Sequence, residues 1–378
     1  MGREGQEDPD GLTSSVEGKN MFNRRSSSMF TVALLFIAGA SAQTGPAASP
    51  HLGIIVHRIS PRAAVFNVGP WNNSYLALAT EKGIVVIDSG FSKTVARAVR
   101  ASIQAEFKRS DFAFLINSHE HSDHVFGNSA YSDIPIVGSD LLRASILGMK
   151  SEPASIAPRL AIPEESLART RQESPKDPKL AHDPRVSRSE EFWKVVQEDY
   201  SAGVEFVPPA ITFDRRLSLN LGDLTVNLFS FGHWHSAADT IISIPGEGVI
   251  RLGAILYAGQ LPIVRNQYAN ESLTAAIVDY WIAVLNEVMT QADGKTQFIS
   301  CHGWTVMSKA QCAPQVAYLE KLWKEVRRAK SVGKTVQQVK EALSREQLFP
   351  EVAGLTNAAD QVPNIHEHNI EELWSVAP

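Results

Sequence analysis

Short runs of apolar and β-branched residues, separated by turn residues, recur along the chain from residue 52 onward. Runs of four to eight such residues, bounded by glycine, proline or charged residues, are typical of β-strands. The pattern therefore predicts many short strands, at residues 52–59, 63–68, 74–78, 83–87, 112–117, 134–137, 210–213, 216–219, 224–231, 240–244, 248–252 and 297–300.

Helical spacing occurs between several of these runs. In residues 92–107, the side chains of Val95, Val99 and Ile103 fall on one face of a helix, and Ser92 is a candidate N-cap. Strands that alternate with helices favour an α/β fold. The other predicted helices begin near residue 139, cover 272–289, and form two or three C-terminal segments at 310–330, 335–348 and 370–374.

The segment from about residue 150 to 203 departs from this pattern because it is rich in proline, arginine, glutamate and serine. Its one clear apolar patch is at residues 192–196. We interpret the segment as an insertion with some helix that lies over the surface. Segments of this length in a compact domain are often lids or binding loops.

The first 42 residues have the composition of a targeting segment. A polar stretch comes first, followed by two arginines at 24–25 and an apolar run from residue 29 that ends in Ala-Ser-Ala at 40–42. This order predicts a secretory signal peptide that is cleaved after Ala42. An uncleaved membrane anchor is the other interpretation, although the run is short for a bilayer. We expect an exported protein, periplasmic or secreted, with no stable membrane span after cleavage.

The whole chain has 378 residues, of which 44% are hydrophobic and 20% charged, and its formal net charge is −5. This composition is ordinary for a soluble globular protein, and its mild acidity argues against nucleic acid as a partner. We predict a main domain at 43–308 and a C-terminal helical extension at 309–378 that packs on the same domain. The two cysteines, Cys301 and Cys312, permit one disulfide, and the sequence leaves the oligomeric state open.

Candidate chemistry is concentrated at residues 118–124, Ser-His-Glu-His-Ser-Asp-His, directly after an apolar run. Three histidines and two carboxylates in seven residues favour a metal site over a merely histidine-rich loop. Histidines two apart on an extended backbone point to the same side, so His119 and His121 can face one ion. Asp123 and His124, in the following turn, can reach a second ion.

Two later histidines, His235 and His302, also follow apolar strands. In α/β proteins, the loops at one edge of a sheet collect the site residues. A catalytic zinc takes three protein ligands and leaves a fourth position for water. The two predicted ligand sets are His119, His121 and His235, and Asp123, His124 and His302.

Residues 119–124 match the His-x-His-x-Asp-His signature of the metallo-β-lactamase superfamily, and the chain resembles this family from about residue 51 to 305. The segments 88–90, 232–239 and 301–303 extend the match, and they occur along the chain in the family's order. The resemblance implies a four-layer αββα sandwich, in which two mixed sheets are covered by helices and the metals lie at one edge between the sheets. It also implies two zinc ions, bound by the two ligand sets named above.

The third motif offers two histidines. His235 is followed four residues later by Asp239, which resembles the family's His-Ser/Thr-x-x-Asp pattern, whereas His233 lacks this spacing. We therefore favour His235 as the ligand and interpret His233 as a residue of the pocket wall or a donor to a ligand. We interpret Asp88 and Asp239 as groups that orient histidines and loops, with loop capping as the alternative.

Strand geometry also suggests which neighbours of the ligands do not bind metal. Glu120 lies between two ligand histidines and is expected to point away from them, because strand side chains alternate. Cys301 neighbours His302 and is a candidate for binding metal, but the same alternation argues that it points away from the side that His302 faces. Trp71, Trp234 and Tyr257 are candidates for the pocket lining, although aromatic side chains near strand ends are more often core.

One position departs from much of the family. Many members carry a carboxylate that bridges both metals, in a Gly-Asp pair where this chain has Gly253 and Ala254. An alanine methyl group ligates nothing. Either the second metal is held by Asp123, His124 and His302 alone, or the protein derives from an ancestor with the bridging carboxylate and its second site is weak or empty. An engineered substitution would give the same sequence.

The resemblance implies a zinc-dependent hydrolase in which a metal-bound hydroxide attacks a cyclic amide or ester, of the β-lactam or lactone class. Zinc lowers the pKa of its water to near 7, and Asp123 would be the catalytic residue that orients the nucleophile. The expected partner is a small-molecule substrate. The alternative is a metal-binding protein with impaired or no hydrolase activity, because Ala254 replaces the bridging carboxylate.

Overall fold

Two β-sheets stacked face to face carry the candidate ligands in a computed structural model of the protein. The model describes residues 52–173, 184–264, 273–303, 306–357 and 362–378. The predicted signal segment at 1–42 lies outside the described residues and stays a prediction.

The first sheet has seven strands that neighbour one another in chain order. Pairs from the first to the fourth strand are antiparallel, and pairs from the fourth to the seventh are parallel. The strands are β1 (Ile55–Arg58), β2 (Ala63–Val68), β3 (Asn73–Thr80), β4 (Gly83–Ile87), β5 (Phe112–Ile116), β6 (Ile136–Ser139) and β7 (Ile211–Phe213).

The second sheet has six strands, β8 (Arg216–Asn220), β9 (Thr225–Ser230), β10 (Thr240–Ile244), β11 (Val249–Gly253), β12 (Gln297–Ser300) and β13 (Met307–Ser308). Their order is β13-β12-β11-β10-β9-β8, and only the β11–β12 pair is parallel. The sequence did not predict β13, because two residues carry no periodic signal.

Both faces of the first sheet are buried at strands β2 to β4, where side chains that alternate between the two faces are all or nearly all buried. In β2, Ala63 and Val65 pack against the second sheet, whereas Ala64 and Phe66 pack against helices. A strand that is buried on both sides reads as a continuous apolar run, as β4 does. The predicted architecture of two mixed sheets covered by helices is confirmed.

Several of the helices that cover the two sheets begin at polar caps. Ser92 and Ser139 accept hydrogen bonds from backbone N–H groups in the first turns of α1 and α3, as N-caps do. The helices are α1 (Lys93–Phe107), α2 (Ser122–Val125), α3 (Asp140–Ser151), α4 (Ala157–Glu173), α5 (Pro184–Ala202), α6 (Ala275–Gln291), α7 (Lys309–Ser331), α8 (Val336–Ala342), α9 (Arg345–Leu348) and α10 (Ile365–Val376).

The segment 150–203 forms two helices, α4 and α5, that pack on each other within its described residues. Phe192 and Trp193 of α5 are buried in the core against Phe91, with ring centroids 5.6 and 5.2 Å from it. The apolar patch of this segment is therefore part of the core and not of the surface. The patch forms part of the core because its aromatic side chains cover the outer face of the first sheet.

The C-terminal region differs from the sequence prediction at two points, and the first is that α10 covers Ile365–Val376 where 370–374 was predicted. The helix predicted at 335–348 is interrupted at Leu343, whose φ of −102° and ψ of 57° are not helical, so it forms α8 and α9. All described residues, including the C-terminal helices, belong to one structural unit. Within the described ranges, no helix has both the length and the apolar character needed to span a bilayer.

Candidate metal centre

The candidate ligands lie at the carboxyl ends of three strands. His119 and His121 follow β5, His235 follows β9, and His302 follows β12. Since β5 belongs to the first sheet and the other two strands to the second, the site is built from both sheets. The loops at this edge bring together residues that are up to 183 positions apart, from 119 to 302.

The first group consists of His119, His121 and His235. One ligand nitrogen from each lies within 4.8 Å of the others, and all three side chains are buried. In the described structure, Nε2 of His119 and Nε2 of His121 are buried without a hydrogen-bond partner. Buried nitrogen atoms that converge without a proton donor fit a metal ion, because neutral imidazole is a common zinc ligand.

The protonation states of this group also suit a metal ion. Burial lowers the pKa of His119 and of His121 well below the usual value, and neighbouring histidines lower it further. Burial, with the charge of His302, lowers the pKa of His235 to about 3. The three imidazoles are therefore neutral at physiological pH, and each has a nitrogen lone pair available for coordination.

Asp88 sets the tautomers of two ligand histidines. Its carboxylate accepts hydrogen bonds from the Ser118 hydroxyl at 3.0 Å and from Nδ1 of His124 at 3.2 Å. Because a hydroxyl has one proton, Ser118 in turn accepts from Nδ1–H of His119 at 3.0 Å. Both histidines thus carry a proton on Nδ1 and present Nε2 to the site, which is the arrangement that carboxylates impose on zinc-binding histidines.

Asp88 is itself held by a buried arginine. Arg251, fully buried in β11, donates from Nη2 to Asp88 at 2.8 Å and from Nη1 to the Ser74 hydroxyl at 2.6 Å. Burial raises the pKa of Asp88, but His124 and Arg251 outweigh that effect and hold it well below its usual range. Asp88 also has a positive φ of 68°, a strained conformation that is found mostly at functional sites.

The second group contains the predicted ligands Asp123, His124 and His302. Oδ2 of Asp123 lies 2.9 Å from Nε2 of His124 and 3.4 Å from Nε2 of His302. Asn73 of β3 donates a hydrogen bond to the same oxygen at 2.7 Å. Nδ1 of His302 lies 3.4 Å from the backbone oxygen of Trp71, which leaves Nε2 directed toward Asp123.

The charges around the second group favour a cation. Burial lowers the pKa of His124, but the carboxylates of Asp123 and Asp88 raise it well above the usual value. The pKa of Asp123 is correspondingly low, because the positive charges of the nearby histidines outweigh the effect of burial. Two buried carboxylates beside this imidazole stabilise a positive charge, which a metal ion would supply in place of the proton.

The structure also places a thiol in this group. Sγ of Cys301 and ligand nitrogens of His124 and His302 lie within 4.8 Å of one another. Burial raises the pKa of this thiol, but His302 and His124 lower it to about 7. The expectation that Cys301 faces away from its neighbour is wrong, because β12 ends at Ser300 and alternation does not continue beyond a strand. Both cysteines are free thiols.

Asp239 folds the loop that carries His235. Its Oδ2 accepts hydrogen bonds from the backbone N–H groups of Trp234, His235 and Ser236, at 2.7–3.1 Å. His233 lies in the same loop with a positive φ of 52° and is not in the three-histidine group. Glu120 points away from the ligands and accepts from the Ala237 N–H at 2.9 Å, so it ties the histidine cluster to this loop.

Replacing Asp239 by alanine is expected to weaken metal binding at the first group by roughly 10–100-fold, the usual effect of losing a group that orients a ligand. The second group makes no contact with this carboxylate among the bonds described above, so one metal should remain tightly bound. Competition with a chromogenic chelator measures both affinities. Asp223→Ala is the matched control, because Asp223 accepts a backbone N–H from Glu81 at the surface. Equal affinities in the two variants would contradict this role.

Ala254 and Tyr257 lie in the turn after β11, and both are buried. The Tyr257 hydroxyl is 3.3 Å from Nδ1 of His235, and its ring stacks on that of His302 with centroids 6.0 Å apart. Gln315 of α7 fixes the Tyr257 backbone by accepting from its N–H and donating to its carbonyl oxygen. A C-terminal helix thus positions a residue between the two ligand groups.

Sequence reasoning missed the roles of Arg251, Asn73 and Gln315. A lone arginine in the apolar strand β11 was a visible signal, since a charged residue that is buried without a partner is rare. Asn73 and Gln315 carried no such signal, because polar residues at a strand start and on a helix are common.

A family model of the metallo-β-lactamase superfamily matches residues 68–141, which contain the histidine cluster. The fold is similar to that of the stereoselective inverting sec-alkylsulfatase Pisa1 from Pseudomonas sp., with 13% identity and a TM-score of 0.54. That match covers 85% of this chain and 49% of the sulfatase chain, so this chain spans about half the length of that relative. No curated protein matches by sequence.

A metallo-β-lactamase from Pontibacter korlensis is also similar in structure, with 15% identity and a TM-score of 0.47 over 71% of this chain and 99% of that one. The family match falls on the strand and loop that supply His119, His121, Asp123 and His124. The resemblance to the metallo-β-lactamase superfamily is therefore confirmed, and this chain has the metallo-β-lactamase fold.

Proposed function

We propose that the protein is a zinc-dependent hydrolase with two zinc ions that opens a small cyclic amide or ester, of the β-lactam or lactone class. The observation that carries this proposal is the convergence of His119, His121 and His235, whose ligand nitrogens lie within 4.8 Å of one another. Three histidine ligands and one open position are the composition of many catalytic zinc sites. The second group, next to the first, would hold the other ion.

The protein's own residues prepare this site for hydrolysis. Zinc, when bound, lowers the pKa of a water molecule and polarises the bond that is cleaved. Asn73 holds Oδ2 of Asp123 by a hydrogen bond. The other oxygen, Oδ1, is then the one that orients the attacking water. The Tyr257 hydroxyl keeps its proton because burial raises its pKa well above the usual value, so it is placed to donate a hydrogen bond to substrate.

The proposal is tested with a panel of a chromogenic cephalosporin, a simple lactone, an aryl ester and a secondary alkyl sulfate. We expect turnover of the cephalosporin or the lactone, loss of turnover after chelation, and recovery when zinc is added. Turnover of the alkyl sulfate alone would contradict the proposed substrate class. No turnover of any substrate by protein with two zinc ions per chain would contradict hydrolysis by this site.

A second candidate function is metal binding with impaired or no hydrolase activity, and the buried Ala254 favours it. The methyl group occupies the position from which related proteins bridge two metals. Replacing Ala254 by aspartate separates the two candidates. A large gain in both metal content and turnover would show that the natural site is impaired, whereas no gain would indicate that its own ligands suffice. Ala258→Asp in the same turn region is a control for added charge.

We also propose that the protein is exported, to the periplasm or beyond the cell. The support is the order of basic, apolar and small residues that ends at Ala42. N-terminal sequencing of protein from the periplasmic fraction should give a chain that begins at Gln43. A chain that retains its apolar segment and sediments with membranes would contradict the proposal.

A further inference from the structure

Cys301 lies beside the position where a bridging carboxylate is absent. Its backbone N–H donates to the carbonyl oxygen of Gly253 at 2.8 Å, so it is a cross-strand neighbour of the turn that contains Ala254. The parallel strands β11 and β12 end together, with Gly253 paired to Ser300. Since Cys301 follows the end of its strand, its thiol and the imidazole of His302 reach the same ligand group.

The distances suit one metal ion. Sγ of Cys301 and the ligand nitrogens of His124 and His302 lie within 4.8 Å of one another, and Asp123 Oδ2 lies 2.9 and 3.4 Å from the two Nε2 atoms. Ligand atoms on one tetrahedral zinc stand about 3.3–3.6 Å apart, given typical zinc–nitrogen and zinc–sulfur bonds. The thiol and the two imidazoles reach this spacing by moving at most about 1.5 Å toward one another, and Oδ2 of Asp123 already lies beside both imidazoles.

Two further observations point to a ligand at this place. Nε2 of His124 is buried and lies 2.9 Å from Oδ2 of Asp123, so both a carboxylate and a thiol border this imidazole. Cys301 is fully buried and forms no disulfide, and the sulfur of this free thiol lies beside the histidines. The other cysteine, Cys312, lies on α7 and belongs to neither ligand group, which makes it a natural control.

We infer that Cys301 is the fourth protein ligand of the second zinc, together with Asp123, His124 and His302; this rests on the proposed zinc-dependent function. The thiol loses its proton to solvent as the ion binds, and the thiolate supplies the negative charge that Ala254 does not. Four protein ligands close a zinc site. The second site is thus closed, and the first, with three histidines, keeps the open position that hydrolysis requires.

Cobalt substitution tests this inference without an activity assay, because thiolate coordination to Co²⁺ gives a charge-transfer band in the near ultraviolet. The apoprotein is titrated with Co²⁺ in the wild type and in the variants Cys301→Ser and Cys312→Ser. We expect the band in the wild type and in Cys312→Ser, and its loss in Cys301→Ser. Affinity for the second Co²⁺ should fall at least about tenfold in Cys301→Ser, since even a group outside the coordination shell is worth that much.

The outcomes separate this inference from the proposed function. Two bound Co²⁺ ions without the band in the wild type would overturn the role of Cys301 and leave the zinc-dependent function standing. A band that persists in Cys301→Ser would also overturn it. Binding of no Co²⁺ would overturn both. If Cys301→Ser does not fold, the test is made on wild-type protein loaded with Cd²⁺, because a cadmium–thiolate bond absorbs in the ultraviolet. Absence of this absorption would show that Cys301 is not a ligand.

Discussion

Replacing Arg251 by methionine is expected to lower the free energy of unfolding by about 3–5 kcal/mol, the usual cost of removing one partner of a buried ion pair. Methionine is similar in length and fills the space, so the loss measures the charge and not a cavity. Asp88 would remain buried without its 2.8 Å partner, and Ser74 would lose a hydrogen bond. Urea denaturation of the metal-free protein measures the change.

Arg109→Met is the matched control for this prediction. Arg109 forms a two-bond pair with Asp111 at 2.6 and 2.9 Å, but both side chains are exposed, so the expected loss is below about 1 kcal/mol. The double variant Arg251→Met with Asp88→Asn should lose less than the sum of the two single variants, because no unpaired charge is left. Equal losses in Arg251→Met and Arg109→Met would show that Arg251 does not hold Asp88.

Replacing His121 by alanine is expected to lower turnover at least about 100-fold and to remove one of the two metals. His121 supplies one of three nitrogens in the first group, and outer groups that only orient a ligand already cost 10–100-fold. The second group contains no atom of His121, so its metal should stay. Steady-state kinetics and metal analysis on the same preparation check both parts.

His57→Ala is the control, because His57 lies in β1 and belongs to neither ligand group. It should keep both metals and full turnover. If His121→Ala kept both metals at wild-type affinity, the first group would not be a zinc site. If it lost both, the two groups would form one coupled site and not two.

Most strands of the fold were predictable because they are local runs of apolar or alternating residues, and β13 was the exception. β2, β4, β10 and β12 begin and end where the sequence pattern places them. The split between α8 and α9 was not predictable, because it depends on the conformation of one buried residue, Leu343. The burial of Phe192 and Trp193 was missed for a related reason: the apolar patch was visible in the sequence, but what it packs against is decided by tertiary packing.

The site residues that the sequence predicted are those that lie close to one another in the chain. The cluster at 119–124 is contiguous, and the spacing to Asp239 distinguished His235 from His233. The contributions of Arg251, Asn73 and Cys301 arise only in the folded structure, because they act on Asp88, Asp123 and His124, which are at least 50 positions away in the chain. Sequence alternation even predicted the wrong direction for Cys301, because it was extended beyond the end of the strand at Ser300.

Anomalous diffraction at the zinc absorption edge, from crystals of zinc-loaded protein, tests the central claim most directly. Two peaks are predicted in each protein molecule. One should lie among the ligand nitrogens of His119, His121 and His235, and the other among Asp123, His124, His302 and Cys301. Absence of a peak among the three histidines of the first group, in protein saturated with zinc, would contradict the account.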